Sequence, residues 1–258
     1  MRQSKVKLRK KIKILDYYIS PVNIEEVLKF INYRIKNKLF GYICVSAVHG
    51  AVESIYNPKF RIAHKKAILS VADGRPIYFA LKLFKQTNIE HLPGYYLTKM
   101  ICDYASNKNL SLGIYGGNKN IQKKFVSKLK KKNTKQKFNY IYSPPFRNLS
   151  KEETNQVQKQ INKSKVDILF VALGAPKQEI WMHDNYKKIN CVSIGIGAAI
   201  DFISGNKKMA PKYMEFLGLA WLFRLISEPR RLFLRYFITN SLFLYFFTLQ
   251  YIKYKFKN

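Results

Sequence analysis

The sequence of this chain predicts an α/β fold in which a mostly parallel sheet carries helices on both faces, followed by a helical C-terminal appendage. Two observations predict the sheet: short apolar runs rich in β-formers alternate with helical stretches, and several of these runs end at glycine. The loss of strand patterns after about Gly205 predicts the appendage. We therefore expect an α/β core over residues 1–205 and a helical appendage over residues 206–258.

Length and charge limit the class of protein. The 258 residues are enough to bury a core, and 47% of them are hydrophobic, which argues against wholesale disorder. Lys and Arg number 47 against 15 Asp and Glu, so the net charge is +32. A charge of this sign favours polyanionic partners, namely nucleic acid, anionic lipid headgroups or phosphorylated substrates, although a solvated surface explains many of the lysines equally well.

In the first half of the chain, apolar runs and capping residues predict alternating strands and helices. Asn23, followed three residues later by Glu26, forms a capping-box pattern that begins a helix. The predicted elements are a strand over 13–19, a helix over 23–36, a strand over 40–48, helix over 50–66 and a short strand over 68–71.

From residue 95 onwards the alternation of strand and helix patterns is more regular. The predicted elements are a helix over 95–106, a strand over 111–115, a helix over 121–132, a strand over 138–142, a helix over 152–164, a strand over 166–173, a helix after Pro176 and a strand over 191–195. Strands separated by helices in this way are typical of a parallel sheet.

A glycine turn follows the strand predicted over 111–115. Gly116, Gly117 and Asn118 join this strand to the next helix. Glycine allows the backbone to approach a ligand closely, and the amide groups at a helix N-terminus can bind phosphate. The spacing matches neither GxGxxG nor the P-loop, so an ordinary tight turn explains it about equally well.

The longest apolar strand ends in the segment Gly174-Ala-Pro-Lys177-Gln178-Glu179. In an open α/β sheet, ligands bind beyond the carboxyl ends of the strands. Lys177 can contact phosphate, and Gln178 can hydrogen-bond a base or a sugar. A helix that simply begins at Pro176 explains the same residues equally well.

Two aspartates follow predicted strands. Asp201 comes after the strand over 191–195, where it can accept hydrogen bonds from sugar hydroxyls or cap a helix. Asp73 follows the strand over 68–71 and precedes Gly74, which places it to act as a general base on a hydroxyl. An Asp-Gly turn is the alternative that spacing alone favours.

The appendage combines arginines with aromatic residues. Its arginines are Arg224, Arg230, Arg231 and Arg235, and they are interleaved with Trp221, Phe223, Phe233 and Tyr236. Guanidinium groups beside aromatic rings suit phosphate or lipid headgroups better than they suit a plain solvated face.

The last long segment, residues 233–252, is apolar on most faces but is interrupted by Arg235 and Asn240. A spanning helix needs ~20 apolar residues. The pattern therefore favours an interfacial helix, while a transmembrane helix and a helix packed on its own domain stay open as alternatives.

No metal or other cofactor is expected from the sequence. The four histidines are scattered, and no DxD motif suggests a metal-held diphosphate. Cys44, Cys102 and Cys191 are widely spaced and odd in number, which indicates a reducing compartment rather than a disulfide framework.

Together and in this order, these segments resemble the WecG/TagA/CpsF family of bacterial glycosyltransferases, over roughly residues 13–244. The segments that carry the resemblance are Ser70-Val-Ala-Asp73-Gly74-Arg-Pro, Leu112-Gly-Ile-Tyr-Gly116-Gly117, Val166 to Glu179, Gly195-Ile-Gly-Ala-Ala-Ile-Asp201-Phe202-Ile-Ser-Gly205, and Trp221-Leu-Phe-Arg224-Leu-Ile-Ser-Glu228-Pro229-Arg230-Arg231. A strand that runs into GAPKQE, followed later by Glu-Pro-Arg-Arg, is highly specific for this family.

The resemblance implies a Rossmann-like core and inverting transfer from a UDP-sugar without a required metal. Familiar members use UDP-N-acetylmannosamine or its uronic acid and act on undecaprenyl-diphosphate-linked N-acetylglucosamine, in the synthesis of teichoic acid or other surface polysaccharide. The resemblance assigns the catalytic base to Asp73 and the acceptor diphosphate to the neighbourhood of Arg224, Arg230, Arg231 and Arg235. It also implies a peripheral enzyme on the cytoplasmic face of the bacterial inner membrane.

The expected substrate-binding residues are those at the strand ends, namely Gly116, Gly117, Asn118, Lys177, Gln178, Glu179, Asp201 and His49. Two segments depart from the family pattern. Where many members carry Thr-x-Asn, this chain has Val45-Ser-Ala-Val-His49, and His49 is expected to occupy part of that pocket. Where many carry Arg-Val-x-Gly-x-Asp, this chain has His91-Leu-Pro-Gly94-Tyr-Tyr96. Both segments could face the sugars, so the donor sugar and the acceptor stay open.

Two other classes compete with the transferase. A basic nucleic-acid-binding protein would account for the charge, but no recognisable reading motif is present and the basic residues are not gathered on one predicted helix. A nucleotide-dependent oxidoreductase would require a better glycine fingerprint and an acidic residue ~20 positions further on. We therefore expect a UDP-sugar, a polyprenyl-diphosphate-linked acceptor and an anionic membrane surface as partners, and no nucleic acid.

Overall fold

The computed structural model of the chain describes residues 6, 8–216 and 218–257. The strands of this part are β1 (Ile12–Ile14), β2 (Tyr17–Ile19), β3 (Gly41–Ser46), β4 (Leu69–Ala72), β5 (Ser111–Gly116), β6 (Lys137–Tyr142), β7 (Ile168–Ala172) and β8 (Val192–Gly195). The helices are α1 (Ile24–Lys36), α2 (Val48–Tyr56), α3 (Pro58–Lys66), α4 (Arg75–Leu83), α5 (Gly94–Asn107), α6 (Lys119–Lys132), α7 (Lys151–Lys163), α8 (Lys177–Asn185), α9 (Ala199–Ser204), α10 (Lys212–Phe216), α11 (Ala220–Ser227) and α12 (Pro229–Lys257).

Six strands form one sheet in the order β4-β3-β8-β7-β5-β6, and every neighbouring pair in it is parallel. The connection from β4 to β5 crosses β3, β8 and β7, so consecutive strands do not simply follow one another across the sheet. Helices cover both faces. The prediction of an α/β fold built on a mostly parallel sheet is therefore confirmed.

Alternating residues of the strands face two separate hydrophobic cores. Ile168 and Phe170 of β7 face a core that also contains α1, α5, α6 and α9. Leu169 and Val171 face the opposite core, which α7 and α8 cover. Strands buried on both faces explain why the sequence shows near-continuous apolar runs rather than strict alternation.

Two predicted boundaries were wrong. The strand predicted over 13–19 is instead an antiparallel hairpin of β1 and β2, outside the main sheet, because the chain reverses at Leu15 (φ 56°) and Asp16. The helix predicted over 50–66 is two helices, because Asn57 ends α2 and its side chain caps α3 by accepting a hydrogen bond from the amide of Phe60. The capping box of Asn23 and Glu26 is present as predicted.

The helix α12 is buried along one side only. Leu232, Phe243 and Phe247 are buried, and Gln250 exchanges two hydrogen bonds with the β1–β2 hairpin, to the amide of Leu15 and the carbonyl of Lys13. Its exposed apolar side chains include Phe233, Leu234, Phe237, Ile238, Leu244, Tyr245, Leu249 and Ile252. By length and composition, Pro229–Phe256 could cross a membrane. The division of the chain at residue 205 stays a prediction.

We expect Phe247→Ala to destabilise the docking of α12 by ~3–5 kcal/mol, because Phe247 is buried between Phe84, Phe243 and Tyr251. The matched control is Leu249→Ala, which removes an exposed side chain two positions away and should change stability by no more than about 0.5 kcal/mol. Thermal unfolding of the two variants checks this. Equal shifts would mean that α12 is not held by this face.

Candidate active site

The carboxyl ends of the parallel strands gather the predicted site residues at one edge of the sheet. Asp73 follows β4, His49 lies in the first turn of α2 after β3, and Gly116 ends β5. The segments after β7 and β8 reach the same edge, because these strands run parallel to the others. This edge is where open α/β sheets bind ligands.

Asp73 is held from several sides. Its Oδ1 accepts a hydrogen bond from the Gly94 amide at 2.7 Å, at the start of α5. Its backbone amide donates to the Ser46 carbonyl at 3.0 Å, and its carbonyl accepts from His91 Nε2. Among the described residues, the second carboxylate oxygen accepts no hydrogen bond. Asp73 therefore combines a fixed orientation with a free oxygen, as a general base requires.

His49 lies close to the base and to two arginines of the appendage. Gly74 lies against the backbone of Ala47 and Val48, so the segment carrying Asp73 contacts the segment carrying His49. Burial, together with the positive charges of Arg235 and Arg224, lowers the pKa of His49 to about 4. His49 is therefore neutral near pH 7, and the two guanidinium groups lie near it.

Arg224 and Arg235 form a half-buried cationic pair. Neither guanidinium makes an ion pair with any residue that the structure describes, and the Nε atom of each is buried without a hydrogen-bond partner. Arg224 lies over the ring of Phe202, 5.4 Å from its centre. Half-buried cations without a carboxylate partner favour the binding of an anion.

Arg230 and Arg231 differ from that pair. Both are exposed, and Arg231 is already bound to Glu228, with 2.6 Å between Nη2 and Oε2. Lys207 contacts the same carboxylate at 2.9 Å. The four predicted arginines are thus divided by the structure into a half-buried pair and an exposed pair.

A small cavity of about 280 Å³ lies beside Arg224, and its lining also includes Phe202, Lys207, Lys208 and Glu228. It opens next to α9, the helix that follows β8. A second, larger cavity of about 730 Å³ lies between α6 and the end of β6 and is lined partly by Lys119, Lys123 and Tyr142. Both cavities therefore carry positive charge at the same edge of the sheet.

The glycine turn after β5 approaches its neighbours closely. Gly116 has a φ of 102°, and a Cβ there would lie 2.7 Å from the carbonyl oxygen of Ala172. The carbonyl of Gly117 accepts from the Ser143 hydroxyl at 2.7 Å, and Asn118 caps α6 by accepting from the Asn120 amide. The amide groups of Gly117 and Asn118 stand at the start of a 14-residue helix, where phosphate can bind.

Gln178 and Glu179 are directed into the protein. Gln178 Oε1 accepts from the Gly197 amide at 3.0 Å, and Gln178 Nε2 donates to Glu179 Oε1 at 2.8 Å. Glu179 is 1% exposed, and its Oε2 has no partner among the described residues. The structure therefore places these two side chains behind the loop after β8, which they hold in position.

Lys177 and Asp201 are nearer the surface. Lys177 is exposed at the first position of α8, and Asp201 lies within α9, where its Oδ1 accepts from the Asn206 side chain at 3.0 Å. Both belong to segments that follow strands, as predicted, and these strands, β7 and β8, are neighbours in the sheet. Their role in binding a substrate stays a prediction.

Three residues near Asp73 were missing from the predicted site. They are His91, Tyr95 and Glu215. Tyr95 donates a hydrogen bond to Glu215, and the negative charges of Asp73 and Glu215 act on His91. The departure of His91-Leu-Pro-Gly94 from the family pattern was a signal for the first two. No sequence signal indicated Glu215, because its contact with Tyr95 joins residues 120 positions apart.

The described residues contain no group of three or more His, Cys, Asp or Glu side chains placed to hold a metal ion. Cys44, Cys102 and Cys191 are buried and free.

Comparison with known proteins gives a consistent result. A model of the family described as "Glycosyl transferase WecG/TagA/CpsF family" matches residues 12–257. The N-acetylglucosaminyldiphosphoundecaprenol N-acetyl-beta-D-mannosaminyltransferase of Bacillus subtilis (strain 168) is 34% identical over 194 residues, which cover 70% of this chain and 73% of that protein. The protein of the same name from Bacillus spizizenii (strain ATCC 23059 / NRRL B-14472 / W23) is 28% identical over 181 residues, or 69% of this chain and 68% of its own length.

We expect the stability of this protein to depend on pH through Glu179. Burial raises the pKa of Glu179 from its usual value of 4.5 to about 7. The protonated side chain therefore makes its full contribution to the stability of the fold below about pH 4.5, and this contribution is lost as the pH rises through about 7. A Glu179→Gln variant has no such titration. Between pH 5 and pH 8 the wild-type protein should therefore lose roughly 2 kcal/mol relative to the variant.

Denaturant unfolding at both pH values measures this difference. Every other titrating group, including His49, is common to the two proteins and cancels in the comparison. Stability curves that stay parallel from pH 5 to pH 8 would show that Glu179 is ionised in the folded protein throughout this range.

Proposed function

We infer the reaction of this chain from its family: it belongs to the WecG/TagA/CpsF family of glycosyltransferases and is itself a glycosyltransferase. We propose that it moves an N-acetylmannosamine-type sugar, or a related hexose, from a UDP-sugar to a polyprenyl-diphosphate-linked saccharide with inversion at the anomeric carbon. The names of the two Bacillus relatives, which describe transfer of N-acetylmannosamine to N-acetylglucosaminyldiphosphoundecaprenol, support this choice of donor and acceptor. The nucleic-acid-binding and oxidoreductase alternatives have no such support.

The observation that carries the proposal is the oriented carboxylate of Asp73, in a segment that contacts the segment of His49, near which the half-buried arginines lie. One oxygen of Asp73 is held by the Gly94 amide, and the other is free to accept the proton of an acceptor hydroxyl. As that hydroxyl oxygen attacks the anomeric carbon, the bond to UDP breaks and the proton moves to Asp73. UDP leaves as an anion, and Lys177 is available to bind its charge.

We assign the acceptor diphosphate to Arg224 and Arg235. Their guanidinium groups are half-buried, have no ionic partner among the described residues and lie near His49, whose segment contacts the segment of the base. A diphosphate would supply the missing negative charge and hold the terminal sugar of the acceptor near Asp73. The exposed pair Arg230 and Arg231 is better placed to contact anionic lipid headgroups.

We further propose that α12 lies in the plane of the membrane surface. Spanning would require the helix to leave the hairpin, breaking both hydrogen bonds of Gln250 and the contacts of Phe247 with Phe84. Kept in place, α12 presents its exposed apolar side to hydrocarbon, as interfacial helices do. The proposal places the enzyme on the cytoplasmic face of the bacterial inner membrane, with residues 206–258 as the membrane-associated unit. We propose that no metal or other cofactor is required.

We expect Asp73→Asn to lower turnover by ~10²-fold or more while leaving UDP binding unchanged, because the amide retains the shape of the side chain but cannot take up the proton. Release of UDP, followed with the UDP-sugar and a synthetic lipid-diphosphate acceptor, measures turnover, and calorimetry measures UDP binding. Turnover close to that of the parent protein would remove Asp73 from the mechanism.

The two pairs of arginines should respond differently to substitution. Replacing Arg224 and Arg235 together with Ala should raise the KM for the lipid acceptor by more than about tenfold, because a buried charge-assisted contact with the diphosphate is lost. Replacing Arg230 and Arg231 should weaken sedimentation with anionic vesicles, and added salt should mimic this loss in the parent protein.

Each double variant serves as the control for the other, since both remove two positive charges from the same helical region. Calorimetry with UDP shows whether the arginines bind the diphosphate of the lipid acceptor or the diphosphate of UDP. If the first variant loses affinity for UDP instead of for the acceptor, the arginines bind the leaving group. If both variants behave alike in every assay, the half-buried pair is not a distinct site.

A further inference from the structure

A residue of the appendage contacts both core segments that surround Asp73. Glu215 lies in α10, and its backbone carbonyl accepts a hydrogen bond from Arg75 Nη2 at 2.9 Å. Its side-chain Oε2 accepts a hydrogen bond from Tyr95 Oη at 2.8 Å. Arg75 begins α4, and Tyr95 lies in the first turn of α5. One residue of the appendage therefore joins two helices of the core.

Both of these helices begin beside the base. Arg75 follows Asp73 by two residues, and Tyr95 follows Gly94, whose amide donates to Asp73 Oδ1. The segment before Gly94 also holds Asp73 in place, because His91 Nε2 donates a hydrogen bond to the Asp73 carbonyl. A displacement of Tyr95 would thus be transmitted to the amide that orients the carboxylate.

The hydrogen bond between Tyr95 and Glu215 depends on the Tyr95 hydroxyl staying protonated. Burial raises the pKa of the Tyr95 hydroxyl, and the neighbouring Glu215 carboxylate raises it further. Tyr95 therefore remains protonated and can donate throughout the pH range in which the enzyme would work. A hydrogen bond from a hydroxyl to a carboxylate is also stronger than one between neutral groups.

We propose that Glu215 is a positioning residue for the transfer reaction: by holding Tyr95, it fixes the start of α5 and, through the Gly94 amide, the direction of the free oxygen of Asp73. This inference rests on the proposed role of Asp73 as the base. It means that the base is correctly oriented only while α10 is docked on the core. The appendage then contributes to the catalytic step as well as to acceptor binding.

The test compares Glu215→Ala, Tyr95→Phe, the double variant and Glu215→Gln. The two single variants remove the same hydrogen bond, so each should lower kcat by about tenfold and the double variant should be no worse than either one. The KM for the UDP-sugar should not change. Glu215→Gln retains an oxygen that can accept from Tyr95 and should restore most of the activity.

Tyr96→Phe is the matched control, because it removes the hydroxyl of the next residue, which bonds to Glu90 and not to Glu215. Hydrogen exchange at the Gly94 amide provides a readout independent of activity. We expect exchange to be about tenfold faster in Glu215→Ala and Tyr95→Phe and unchanged in Tyr96→Phe.

The outcomes separate this inference from the proposed function. If the parent protein transfers sugar and Asp73→Asn does not, but Glu215→Ala and Tyr95→Phe match Tyr96→Phe in kcat and in exchange, Glu215 has no positioning role and the proposed function stands. If the parent protein transfers no sugar, the proposed function fails. Unchanged exchange at Gly94 in Glu215→Ala would then overturn the positioning role by itself.

Discussion

The parallel pairing of the six central strands is the constraint on which the site depends. Because β3 pairs in parallel with both β4 and β8, the segments after these strands must emerge at one edge, and the same holds for β7 and β5. This alone brings the segment of Asp73 and Gly74 next to Ala47 and Val48, which lie 26 and 25 positions before Asp73 in the chain. The close approach of Gly116 to the Ala172 carbonyl shows how tightly the edge is packed, since any side chain there would collide with the neighbouring strand.

The appendage completes this edge at an electrostatic cost. Arg224 and Arg235 are partly buried with no carboxylate partner in the described part of the chain, which is unfavourable. The arrangement persists because apolar packing along α12 holds that helix in place. Phe247 lies more than three turns along α12 from Arg235. Arg235 is therefore near the start of α12 and Arg224 is on α11, whereas Phe243 and Phe247 pack further along α12. Such an arrangement favours binding of an anion without making folding depend on it.

The sequence predicted the sheet, the position of Asp73 after its strand and the helical character of the appendage, because these follow from local patterns of period 2 and 3.6. The sequence could not show that Arg224 and Arg235 are half-buried while Arg230 and Arg231 are exposed, because the burial of a residue on α11 or α12 depends on where these helices dock. It also did not show that Gln178 points at the Gly197 amide, because side-chain direction at a helix start depends on the neighbouring strand. The contact of Glu215 with Tyr95 is non-local and had no signature.

The strand order also limits how a nucleotide sugar can lie across the edge. Neighbouring strands are about 4.8 Å apart, so the end of β4, with Asp73, lies about 19 Å from the end of β5, with its glycine turn. The anomeric carbon of a UDP-sugar is bonded directly to the diphosphate, so a donor whose anomeric carbon lies near Asp73 has its diphosphate near the same end of the edge. Only the uridine can then extend over β8 and β7 towards the glycine turn. Arg224, stacked on Phe202 after β8, lies between these two ends. Inversion requires the attacking hydroxyl and the departing UDP on opposite sides of the anomeric carbon, so the groups that bind the departing diphosphate must lie close to Asp73, on the other side of that carbon.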